Sequence, residues 1–151
     1  MPLHPQARDL IDTTTALKLP AVWDVTPAQA RETVRQRSAA LPREDVASVR
    51  DHRVPVSGGE ITVRVFTPRA PAPLPALVYF HGGGWVTGDI ESHEGICRTL
   101  ANAARCAVVS VDYRLAPEAP YPAGPDDCEA AALWLARNAQ AEFGTSIASK
   151  H

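Results

Sequence analysis

ALVYFHGGGWVTGD, Ala76 to Asp89, decides the reading of this chain. An apolar run without polar alternation, as in ALVYF, suits a strand covered on both faces, as in a parallel sheet. It runs directly into His81, three consecutive glycines and Trp85. Glycine is placed at an entropic cost, so three in succession suggest that main-chain N–H groups must be approached by something.

Working outward, CAVVSVDY (106–113) is a second nearly continuous β-branched run. Between the two, ESHEGICRTLANAAR (91–105) places Ile96, Leu100 and Ala103 on one helical face, which reads as the crossover of a βαβ unit. PDDCEAAALWLARNA (125–139) predicts a further helix. Pro125 suits its first turn, Asp126 and Asp127 oppose the positive end of its dipole, and Cys128, Ala131, Ala132 and Leu135 line its buried face.

Upstream, VASVRDHRVPV and EITVRVFTP alternate apolar and polar residues around SGG (57–59), the signature of an antiparallel hairpin. PRAPAPLP (68–75) is a stiff extended connector between strands. Farther upstream, TPAQARETVRQRSAAL predicts a helix capped by Thr26, with Pro27 at its first position and Gln29 completing a capping box. Ala30, Val34 and Leu41 recur at helical spacing. A shorter helix is predicted around Gln6 to Leu17, weakened by Thr13, Thr14 and Thr15. The order helices, hairpin, strand, helix, strand, helix is an α/β layout with a mixed sheet. Two regions follow: a helical segment over 1–45 and the α/β core over 46–151.

Composition excludes several classes. The net charge is −2 and the cations are scattered singly, so no electrostatic footprint for nucleic acid or an anionic membrane exists. No signal-peptide pattern or membrane-length apolar run is present, which predicts a cytoplasmic location. Cys97, Cys106 and Cys128 lie in apolar-patterned segments without CxxC spacing; they read as reduced, packed thiols, with no metal expected. His4, His52 and His93 read as ordinary packed or solvent-facing residues.

Three uses of the glycines compete. GxGxxG spacing and the Lys of a P-loop are both missing, which argues against nucleotide binding. A purely structural turn would need only one or two glycines. An oxyanion hole needs free main-chain donors close to a reacting carbonyl, where side chains would obstruct.

HGGGW (81–85), DYRLAPE (112–118) and YPAGPDDC (121–128) together closely resemble the amino-terminal half of the hormone-sensitive-lipase-like carboxylesterases, a branch of the α/β-hydrolases. The resemblance runs from near Met1 to about Gly144. It implies an α/β-hydrolase-like mixed sheet with amino-terminal cap-like helices, and hydrolysis of short-chain acyl esters through an acyl-serine. No cofactor is implied. It assigns Gly83 and Gly84 as oxyanion N–H donors, Gly82 as the residue that lets the loop turn, and His81 as a loop organiser, not a base. Asp112, Tyr113, Arg114 and Glu118 would brace the loop from behind, against the alternative of ordinary surface ion pairs. Trp85 would lie near the substrate pocket or in the core.

The family's serine elbow, GxSxG, does not occur in these residues. Ser38, Ser48, Ser57, Ser92, Ser110, Ser146 and Ser149 all lack it, and His151 has no reason to replace the family's base. Ile147 and Ala148 would begin the strand that leads to the elbow. The expectation is therefore an incomplete hydrolase, inactive alone, with the strand Leu77 to Phe80 left as an edge that invites self-association, poor solubility or a complementing chain. A non-catalytic binding protein and one half of a split esterase are the other readings.

Overall fold

The computed structural model describes residues 3–18, 20 and 24–144. Two helices come first, α1 (Pro5–Ala16) and α2 (Pro27–Ala39), followed by strands β1 (Ser48–Val56), β2 (Gly59–Thr67) and β3 (Ala76–Phe80). Helix α3 (Glu94–Ala104), strand β4 (Ala107–Asp112) and helix α4 (Ala123–Phe143) complete the order. The predicted α2 cap is realised in full: the Thr26 hydroxyl accepts the Gln29 N–H, and the Gln29 side chain accepts the Thr26 N–H.

The strands form a four-stranded sheet in the order β1-β2-β4-β3. β1 and β2 pair antiparallel through a turn at Ser57 and Gly58, β2 pairs antiparallel with β4, and β3 lies parallel to β4. Pro55 sits on β1, at an edge of the sheet among the described residues, where a missing N–H is tolerated.

Period-two alternation distributes the side chains between two layers. Ala107, Val109 and Val111 of β4 pack with Ile61, Val63 and Val65 of β2 and with Ala131, Leu135 and Ala139 of α4. On the other face, Val108 and Phe66 pack against Cys97 and Ala101 of α3. The sheet is thus sandwiched between α4 and α3, which is why β4 has no exposed residue.

Two helix faces differ from their predicted positions. On α3 the buried residues are Glu94, Cys97 and Ala101, whereas Ile96 and Ala103 are exposed and Leu100 is half-buried. On α4 the buried stripe runs through Asp127, Ala131, Leu135 and Ala139 at a spacing of four, and Ala132 faces solvent. Both helices contain more apolar residues than the sheet can cover, so apolarity alone did not identify the inner face. α4 is also longer than predicted and stops at Gly144, whose φ of +65° suits a left-handed cap.

β3 forms the other edge of the sheet among the described residues, with Leu77 and Phe80 about two-fifths exposed. Ile147 and Ala148 lie outside the described residues. No helix among the described residues is long and apolar enough to cross a membrane.

Candidate functional site

The glycine turn leaves the end of β3 at His81, which is buried. Its ring lies between Tyr113, at 4.2 Å, and His93, at 5.2 Å between centroids, stacked on both sides. The Tyr113 hydroxyl donates to His81 O at 2.5 Å. That leaves the phenol oxygen's lone pairs toward Nδ1, 3.2 Å away, so Nδ1 carries the imidazole proton and donates to Gly82 O at 2.9 Å. Burial holds the His81 pKa below its ordinary value, which keeps the ring neutral.

The next carbonyl is held as well. Gly83 O accepts the Val86 N–H at 3.1 Å, the Thr87 N–H at 2.9 Å and the Thr87 hydroxyl at 3.1 Å. In a trans peptide the C=O and the following N–H point in opposite directions. With Gly82 O turned toward His81 and Gly83 O turned into the loop, the N–H groups of Gly83 and Gly84 are directed away from both. Neither donates to an acceptor among the described residues.

Glycine is required at some of these positions and not at others. A Cβ on Gly83 (φ +133°) would stand 2.0 Å from Thr87 O, and one on Gly88 (φ +87°) 2.5 Å from both Gly82 O and His81 Nδ1. Gly84 (φ +61°) is left-handed in open space. Gly82, expected to let the loop turn, has neither a left-handed φ nor a neighbour that its Cβ would meet. The turn is made by Gly83, Gly84 and Gly88.

Trp85 continues the left-handed backbone at φ +63° and is half exposed. Its ring tilts over Tyr113 at 5.2 Å and rests on Gly124, where a Cβ would approach to 2.8 Å. Beside it is a mainly apolar cavity of about 310 Å³ lined by Trp85, Ala116, Ala119, Tyr121 and Gly124.

The DYRLAPE residues divide between separate tasks. Tyr113 touches the loop directly. Asp112 accepts the Ile90 N–H, and burial together with the nearby charge of Asp89 raises its pKa. Arg114 binds Asp127 of α4 through its guanidinium. Glu118 pairs with Arg31 of α2, whose guanidinium holds the carboxyl down at about 2.

Asp127, expected to oppose the helix dipole, is completely buried in an ion pair with Arg114. Arg31, Arg35, Asp89, Gly88 and Gly124 were not singled out as site residues. Arg31 and Arg35 stand four apart on a predicted helix and Gly124 lies within YPAGPDDC, so the signals were present without the tertiary contacts that give them meaning. Among the described residues no group of His, Cys, Asp and Glu could hold a metal ion.

The alpha/beta hydrolase fold family matches residues 77–149. An esterase structure from Pyrobaculum calidifontis superposes with a TM-score of 0.87 at 41% identity, covering 97% of this chain and 47% of that one. The chain belongs to the hormone-sensitive-lipase-like α/β-hydrolase family. Within the family, an arylesterase of Saccharolobus solfataricus is 34% identical over 92% of this chain and 46% of its own length. The esterase LipI of Mycobacterium tuberculosis is 46% identical over 71% of this chain and 35% of its own. The chain thus spans less than half the length of these hydrolase relatives.

Proposed function

We propose that this chain supplies the oxyanion-stabilising half of a carboxylic ester hydrolase acting on short-chain acyl esters. Attack by a serine on the ester carbonyl would place a full negative charge on its oxygen. The Gly83 and Gly84 N–H groups would meet that oxygen as preorganised donors, a contribution of about 3 kcal/mol per donor in comparable sites. The observation that carries the reading is the pairing of the Gly82 and Gly83 carbonyls inside the loop, which turns both following N–H groups outward.

In this reading His81 orients the Gly82–Gly83 peptide through Nδ1 and takes no proton from the nucleophile. Tyr113 holds His81, and Asp112, Arg114 and Glu118 brace the segment behind it. Trp85 and its cavity border the bound ester, and residues 1–45 form part of a cap over it. The nucleophile, acid and base come from a segment other than these 151 residues, which pairs along the β3 edge at Leu77–Phe80. The chain alone is then inactive.

Residues 1–144 fused to the carboxyl-terminal half of the Pyrobaculum calidifontis esterase test this directly. Saturable hydrolysis of p-nitrophenyl butyrate by the fusion, and none by the 151-residue chain, is expected. A folded fusion without activity, or turnover by the chain alone, would refute the proposal.

A further inference from the structure

Helix α2 meets the hydrolase core through two arginines one turn apart. Arg31 makes four bonds: Nε to Val86 O at 2.7 Å, Nη2 to Ala116 O at 2.8 Å and to Glu118 Oε2 at 2.7 Å, and Nη1 to Glu118 Oε1 at 2.9 Å. Arg35 Nε reaches Asp89 Oδ2 at 2.6 Å. No residue of α2 is fully buried. A groove of about 860 Å³ is walled by Arg31, Arg35, Asp89, Asp112 and Glu118. The helix is bridged to the core by directional polar contacts more than packed onto it.

The acceptors connect these bridges to the glycine turn. Val86 and Thr87 donate their N–H groups to Gly83 O, the carbonyl whose direction aims the Gly84 N–H. Val86 O is held by Arg31 from one side, and Trp85 O is held by the Ala116 N–H, while Ala116 O returns to the same guanidinium. The loop, the segment after Leu115 and α2 therefore close into one ring of hydrogen bonds with Arg31 at its junction. Only a planar fork with several donors can serve these three acceptors together; a lysine ammonium would have to abandon part of the set.

We infer that Arg31 is a positioning residue for the glycine turn, and that α2 acts as a strap fixing the direction of the Gly83–Gly84 peptide. Arg35 aligns the strap through Asp89, which also accepts the Ser92 N–H at the approach to α3. The inference deepens the proposed function, since what the turn is for rests on that reading. The restraint itself is a property of this chain.

Amide hydrogen exchange on the 151-residue chain separates the two. Val86, Thr87 and Ala116 report the turn, and Val108 to Val111 report the core. Arg31→Met is expected to speed exchange at the first three by about tenfold or more while the core amides stay within about twofold. Arg31→Lys, which keeps the charge and the stem, is expected to speed them by at least about threefold and so fail to restore the restraint. In the fusion with the Pyrobaculum calidifontis half, Arg31→Lys is expected to lower kcat about tenfold with KM nearly unchanged. Unchanged exchange at Val86, Thr87 and Ala116 in either folded variant would overturn the inference, as would an equal rise in the core. An inactive fusion would refute the proposed function and leave the exchange result to decide the role of Arg31.

Discussion

Asp127 receives three hydrogen bonds from Arg114: the backbone N–H at 2.9 Å, Nε at 2.9 Å and Nη2 at 2.7 Å. The carboxylate is completely buried, whereas the guanidinium is about one-third exposed. This asymmetry sets the outcome of mutation. Arg114→Met strands a buried charge and should cost about 3 kcal/mol, while Asp127→Asn leaves a cation that can turn to solvent and should cost about 1.5 kcal/mol. Urea unfolding of both variants checks the order; an equal or reversed cost would mean that Asp127 is not the dependent partner.

The glycines of the turn should rank by geometry. Gly83→Ala combines a left-handed φ with backbone overlap and should destabilise by about 3 kcal/mol, with Gly88→Ala close behind. Gly84→Ala meets nothing but keeps the left-handed strain, about 1 kcal/mol. Gly82→Ala should fall within about 0.5 kcal/mol of the parent. Thermal unfolding of the four variants measures the series, and a costly Gly82→Ala would show that Gly82 also shapes the turn.

Much of this architecture was legible in the sequence because backbone chemistry is local. The hairpin at Ser57 and Gly58, the Thr26 cap and the two-face burial of β4 follow from turn residues, cap spacing and β-branched runs. That a glycine turn follows β3 was legible from HGGGW. Which glycine does what was not, because the requirement at Gly88 comes from His81 folding back onto it, and that at Gly124 from Trp85 across the chain. Long-range partners chosen by tertiary approach, such as Arg31 with Val86 or Asp127 with Arg114, leave only a charged residue at an unremarkable position.

His81 should show acid sensitivity of a defined sign. Burial lowers its pKa from 6.5, so the folded chain resists protonation more than the unfolded chain does. Its contribution is fully present above pH 6.5 and is lost as pH falls through the folded value. The imidazole resonances of His81 should titrate below 6.5, and stability should begin to fall on the acid side of that pH. A midpoint at or above 6.5 would contradict a neutral ring donating only from Nδ1.

The β3 edge should associate. Leu77 and Phe80 are exposed beside main-chain groups that face no further strand among the described residues. Sedimentation velocity should show concentration-dependent oligomers that Leu77→Lys reduces. A monomer at all concentrations, with Leu77 to Phe80 protected from exchange, would exclude an available edge.

The proposed oxyanion role rests on the Gly83 and Gly84 N–H groups, and the second of them can be deleted with the side chains unchanged. A semisynthetic fusion ligated at Cys97, with glycolic acid in place of Gly84, exchanges the amide for an ester at the same shape. A loss of about 100- to 1,000-fold in kcat on p-nitrophenyl butyrate, with KM little changed, is expected if the Gly84 N–H meets the charged oxygen. An unchanged kcat would contradict it.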